Sequence, residues 1–288
     1  MNCEDGQTPS PIIAIYQALR SMHPKWDVEI GQPRGRGWIP GTALVTAEEG
    51  PFQALLARMG AKLRTADRRT IAAAFALRYG WSSGIAIAPY LFYRCVPKLT
   101  LDNVCLKFHH NTLFERAAVL RPEGVMLSQD GVASHPSIQV LSNPQALLRW
   151  LRESLVQQAT PIVEALYEWS HFARRGIWGM ITSSWAAQFL TIYSEIDAPQ
   201  NGLSAVQQLF AGRDVVAEMQ PYCYLVTYQH VTHVYHRRAS CCRYYKLPQG
   251  SYCASCPLIS QEERLERNRA WMQRLVELPP TSTSVRNR

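Results

Sequence analysis

The clearest apolar periodicities in this chain fall at helical spacing. Leu147, Leu151 and Leu155 recur every four positions, and Ile177, Ile181, Trp185 and Phe189 repeat that interval further on. Side chains four apart share one helix face, so each stripe predicts a helix buried along that face. Asn143-Pro144 supplies an N-cap and a proline at the first helical position. Pro161 is expected to open a separate helix, with Ile162, Leu166 and Trp169 facing inward.

Towards the N-terminus, Ile12 to Met22 predicts a short helix, and the rest of the first 60 residues reads as loop. Asp67 begins a helical run that reaches Gly80, and a second apolar segment spans Gly84 to Cys95. Alternation over Asn103–Phe108 predicts a strand, as do the short runs Ala117–Leu120 and Val125–Leu127. Ser204 to Gln207 reads as a capping box whose helix closes at Gly212. Tyr222–Tyr228 has strand chemistry. Ser260–Glu263 is a second capping box, opening a charged helix to about Leu278, and the tail PPTSTSVRNR is expected to be disordered. The fold class expected is α+β: mostly helical, with a small antiparallel sheet packed on a helical layer.

The chain has 288 residues, enough to bury a real core. Its formal net charge of +8 favours an anionic partner without choosing among nucleic acid, membrane and acidic protein or ligand. The N-terminus lacks a signal-peptide pattern. No apolar run of about 18 residues is evident, so no transmembrane segment is expected. These features predict a cytosolic protein, where clustered cysteines are metal ligands more often than disulfides. Gly35-x-Gly37 fails as a dinucleotide fingerprint, because Pro40 occupies the third glycine position and no strand is predicted before it.

Half of the 8 cysteines crowd into one window, SCCRYYKLPQGSYCASC. Cys241 and Cys242 are adjacent, and Cys253 and Cys256 follow as a C-x2-C turn. Cys95, Cys105 and Cys223 lie in apolar runs and read as buried thiols; Cys3 stands apart. The C-x2-C turn can present two sulfurs to one metal. Adjacent cysteines point apart, which strains a tetrahedral zinc site but suits a cluster whose thiolates are divided between two irons. The doublet therefore tilts the reading towards a 2Fe–2S cluster, with structural zinc or labile disulfides as the alternatives. On a helix His230, His233 and His236 would share a broad face and could ligate a metal, but the Tyr222–Tyr228 pattern favours a strand, where they alternate sides; one of them could still hydrogen-bond to a cluster sulfur.

The spacing C-C-x10-C-x2-C resembles that of the ferric siderophore reductases of the FhuF family. The flanks Arg243-Tyr244-Tyr245 and Pro257-Leu258 are similar too. Upstream, Ile177-Trp178-Gly179 after Arg174-Arg175 resembles the family's Trp-Gly-Asn segment, with Met180 in place of Asn. The stretch from Ala88-Pro89-Tyr90 to Leu106 is also similar. The resemblance covers roughly residues 60–260. The chain is expected to divide into four parts: an N-terminal helix and irregular extension (1–60), a FhuF-like α+β core (61–236), a cluster-binding segment (237–260), and a C-terminal helix with its tail (261–288); the resemblance does not explain the first and the last. The resemblance implies a 2Fe–2S cluster on Cys241, Cys242, Cys253 and Cys256 and one-electron reduction of a ferric siderophore, most simply a hydroxamate. Electrons would come from a ferredoxin-like protein or a reductase. Candidate substrate contacts are Arg174, Arg175, Trp178, Arg237, Arg238 and Lys246. Two other functions compete with this one: a zinc-containing nucleic-acid-binding protein and a non-catalytic iron–sulfur sensor. Dispersed basic residues and the lack of a recognition helix argue against nucleic acid.

Overall fold

The computed structural model describes residues 9–23, 26–128, 135–196 and 198–277. Nine α-helices are present among these residues: α1 (Pro11–Met22), α2 (Gly50–Leu63), α3 (Arg68–Gly80), α4 (Gly84–Tyr93), α5 (Pro144–Ser170), α6 (Arg174–Glu195), α7 (Pro199–Leu209), α8 (Val215–Glu218) and α9 (Gln261–Glu277). The strands are β1 (Val28–Ile30), β2 (Trp38–Pro40), β3 (Cys95–Pro97), β4 (Val104–Phe108), β5 (Phe114–Val119), β6 (Gly124–Leu127), β7 (Ile138–Leu141), β8 (Tyr222–Tyr228) and β9 (Val231–Arg237). The fold is α+β and mostly helical.

Helix α6 is the axis of the molecule. Residues 177–186 are buried all round, and the helix packs on α3, α4, α5, α7 and β9. Its crossing with α3 is close: a Cβ on Gly80 would meet Ser184 Cβ at 2.6 Å. Ser184 Oγ donates to the Leu77 carbonyl at 2.6 Å, which seals that contact. Helix α3 is capped by Asp67, whose carboxylate accepts from Arg69 N and Thr70 Oγ1.

Several expectations fail for local reasons. Helix α5 continues through Pro161, because the buried stripe Leu147, Leu151, Leu155, Ile162, Leu166 and Trp169 runs unbroken on both sides. That burial outweighs an interior proline's cost of about 3 kcal/mol. The stretch read as loop contains α2, which buries Phe52, Leu55, Leu56 and Met59 in the common core. Ser204 lies inside α7, which starts at Pro199 behind Ala198 and ends at Leu209, before Gly212.

The sheet expectation changes too. Two small mixed sheets replace one antiparallel sheet, in the orders β1-β5-β4-β2 and β3-β6-β7. The β1–β5 and β6–β7 pairs are parallel. Strand β1 also precedes the Gly35–Gly37 turn, contrary to expectation, but strand β2 follows it where a dinucleotide site would have a helix. The 26-residue stretch Arg68–Tyr93 is long and apolar enough to cross a membrane, again contrary to expectation. However, 72% of its apolar window is buried within the fold, as in core helices. The disordered-tail expectation and Cys3 lie outside the described residues.

Strands β8 and β9 form an antiparallel hairpin with a two-residue turn at Gln229-His230. Helix α9 packs on β8, where Tyr224, Val226 and Met272 make a second, smaller core. Between β9 and α9 runs the cysteine segment.

Candidate metal centre

The segment is seated on α6. Ala239 N donates to Ser183 Oγ at 3.2 Å, and Ser240 Oγ donates to the Gly176 carbonyl at 2.7 Å. Gly179 permits this approach: a Cβ there would lie 2.8 Å from Ser240 Cβ and 3.1 Å from its backbone nitrogen. The Trp178-Gly179 step singled out in the sequence is therefore the floor on which the cysteine doublet rests.

The doublet divides. Cys242 interacts with Cys253, and Cys241 with Cys256. All four are free thiols. Cys256 is buried, 2% exposed, and the other three are half-buried, so the site lies just under the surface. Each arm carries the same N–H···S device two residues beyond a cysteine. Arg243 N donates to Cys241 Sγ at 3.3 Å, and Leu258 N to Cys256 Sγ at 3.5 Å. Pro257 has no N–H, so the donor in the second arm falls on Leu258. Arg243 takes a left-handed conformation, φ 61°, to make its turn.

The arms are joined by side chains that sequence reasoning missed or misread. Arg238 bridges them: its backbone N donates to the Ser255 carbonyl at 2.9 Å, Nε to Ser255 Oγ at 2.9 Å, and Nη2 to Cys253 Sγ at 2.7 Å. Arg264 of α9 is 1% exposed and donates through Nη2 to the Cys256 and Ile259 carbonyls, both at 2.8 Å. Arg243 reaches back to α3 and donates to Asp67 and Thr70. The interior glycines Gly176 and Gly179 were the available sequence signal for a close approach to α6.

Electrostatics favour a thiolate here. The interaction with Cys253 lowers the pKa of Cys242 most, and the Arg238 charge and the Tyr244 amide add to it against burial. Burial raises Cys241, with the Arg243 amide opposing. Arg238 holds its charge despite burial because the cysteines surround it.

The other predicted residues scatter. Trp178 is 5% exposed, packed against Trp185 in the core, and offers no surface to a ligand. Arg174 is engaged with Glu164 and lies 3.6 Å from the Tyr167 ring centroid. Arg175 pairs with Glu218 at 2.6 Å. Arg238 is turned to the sulfurs. Arg237 and Lys246 are exposed, Arg237 over the Tyr222 ring. His230 lies in the hairpin turn, and His233 and His236 fall on opposite faces of β9, as strand alternation requires. Cys95 and Cys105 are buried; Cys223 is half-buried. A cavity of about 280 Å3 beside Leu56, Arg68, Ile71 and Trp169 contains none of the four cysteines.

Among the described residues, no three Cys, His, Asp or Glu side chains are grouped as they would be around one metal ion. Four thiols in two contacting pairs, with amide and guanidinium donors on sulfur, fit a two-iron centre better than a single tetrahedral ion. Residues 238–258 match the family described as FhuF 2Fe-2S C-terminal domain. The match covers this segment alone. It supports a FhuF-like iron–sulfur segment at these residues. Comparison with curated proteins finds no match.

Proposed function

We propose that this protein is a cytosolic ferric-siderophore reductase whose 2Fe–2S cluster is held by Cys241, Cys242, Cys253 and Cys256. The observation that carries the reading is the meeting of these thiols in two pairs within a FhuF-like segment. When bound, the cluster supplies one-electron transfer at a potential set by its hydrogen bonds and burial. The chain's own residues position it. The amides of Arg243 and Leu258 and the Arg238 guanidinium donate to sulfur, and α6 and Arg264 hold the arms.

The substrate is Fe(III) held by hard anionic oxygen donors. One electron converts it to Fe(II), which those donors hold far more weakly, and the metal departs. No general base or nucleophile is required. The expected substrate class is a hydroxamate siderophore, approaching the exposed rim of Tyr244, Lys246 and Tyr252. Electrons come from an external ferredoxin-like protein or reductase, because the chain has no flavin or nicotinamide motif of its own. The test is anaerobic preparation with iron and sulfide counts, followed by reduction with dithionite and addition of a ferric hydroxamate. Two irons and two sulfides per chain, and Fe(II) release, support the reading. A colourless protein carrying zinc, or a reduced cluster inert to ferric hydroxamates, would refute it.

A further inference from the structure

Arg238 is the only side chain among the described residues that donates a nitrogen hydrogen bond to one of the four sulfurs. It also lies within hydrogen-bonding reach of Cys242. Nε and the backbone N are both fixed on Ser255, so the guanidinium plane is held from two directions. Nη1 is buried and finds no partner among the described residues. Burial opposes this charge, and its attraction to the thiolate forms of Cys242, Cys253 and Cys256 sustains it. The Cys241–Cys256 pair, by contrast, receives backbone amides.

We propose that Arg238 sets the reduction potential of the cluster, raising it; this rests on the cluster reading above. One-electron reduction adds negative charge to a centre already bound by four thiolates. The electron arrives from the external donor and leaves to substrate Fe(III), and Arg238 neither gains nor loses a proton. A buried, permanently charged guanidinium bonded to sulfur favours the more negative, reduced state. Arg238 is thus a positioning and tuning residue rather than a substrate contact.

The experiment compares the wild-type protein with Arg238→Lys and Arg238→Gln, all prepared without oxygen. Iron and sulfide are counted, far-UV circular dichroism is recorded, and the midpoint potential is measured by dye-mediated titration of the visible spectrum. The expected result is a cluster in both variants, with the potential moved to more negative values in Gln and by a smaller amount in Lys. Unmoved potentials in the variants that load overturn the proposal. Natively folded variants that both fail to load also overturn it, leaving Arg238 an assembly residue. A wild-type protein without iron and sulfide is a different result, because it refutes the cluster reading itself.

Discussion

Arg243 ties the cysteine segment to the cap of helix α3: its Nη2 lies 2.9 Å from Asp67 Oδ2, across 176 positions of sequence. One carboxylate serves two structures. It accepts from Arg69 N and Thr70 Oγ1 as the helix cap, and from Arg243 as the anchor of the turn beside Cys241 and Cys242. Partial burial acts to raise its pKa, but the bonds from Thr70 and Arg243, the Arg243 charge and the Arg69 amide prevail and hold it below the ordinary carboxylate value.

The two duties separate by substitution. Asp67→Asn keeps a good cap and loses the charge, so the expected loss of stability is below about 1 kcal/mol, because the carboxylate is 39% exposed. Asp67→Ala removes both and should cost about 1–2 kcal/mol. Urea unfolding of both variants checks this. Equal losses would mean that the cap contributes nothing.

Gly179→Ala should be disproportionately harmful to the site. The added methyl would press on Ser240 Cβ and on its backbone nitrogen, which cannot swing away. Overpacking of this kind costs about 1–3 kcal/mol. The expected outcome is a lowered melting temperature together with a reduced iron content per chain. Combining it with Ser240→Gly should restore part of both. Additive damage in the double variant would place the clash elsewhere.

Acid should weaken the hairpin that leads into the cysteines. Burial first, and then the Arg238 charge, hold His236 down at about 4, below its ordinary value of 6.5. Between those values the unfolded chain binds a proton that the folded chain refuses. The contribution is therefore complete above about pH 6.5 and is lost as pH falls towards 4, amounting to at most about 3 kcal/mol. Stability measured from pH 7.5 to 4.5 should fall, and fall less steeply in His236→Gln. A parallel fall in both proteins would remove His236 as the cause.

Arg264→Met should loosen the second arm. It strands the Cys256 and Ile259 carbonyls, which now accept from one buried nitrogen. Each stranded group costs about 1–3 kcal/mol. Faster amide hydrogen exchange at Ser255–Leu258 is the expected readout, with Arg264→Lys intermediate because it keeps the charge but loses the fork. Exchange that stays at the wild-type rate would show that α9 does not hold this arm.

Elements with both a start signal and a periodic stripe were legible in the sequence. Asp67 announces α3, Asn143-Pro144 announces α5, and Ser260 caps α9, with Glu263 N donating to its Oγ at 3.1 Å. Helix α2 was missed because it begins at Gly50-Pro51 behind Glu49, which makes no side-chain cap. Three-residue strands such as β1 and β2 are too short for alternation to register. The four cysteines could be read from spacing, but their partners could not. Which thiol meets which, the seat on Gly179, and the reach of Arg243 to Asp67 depend on tertiary contacts with no local trace. Positive charge near the cysteines was visible as composition; that Arg238 points to sulfur was not.

The main core is closed by residues from Ile12 to Val234, so the receiving surface on α6 is made entirely of chain that leaves the ribosome before the first cysteine of the centre. The cysteine segment is a late-arriving insert laid on a body that already has its own reasons to fold. On the cluster reading proposed above, iron delivery follows synthesis. Chelating the iron should leave far-UV circular dichroism nearly unchanged, with only the segment between β9 and α9 let go, so that one folded polypeptide can be emptied and refilled.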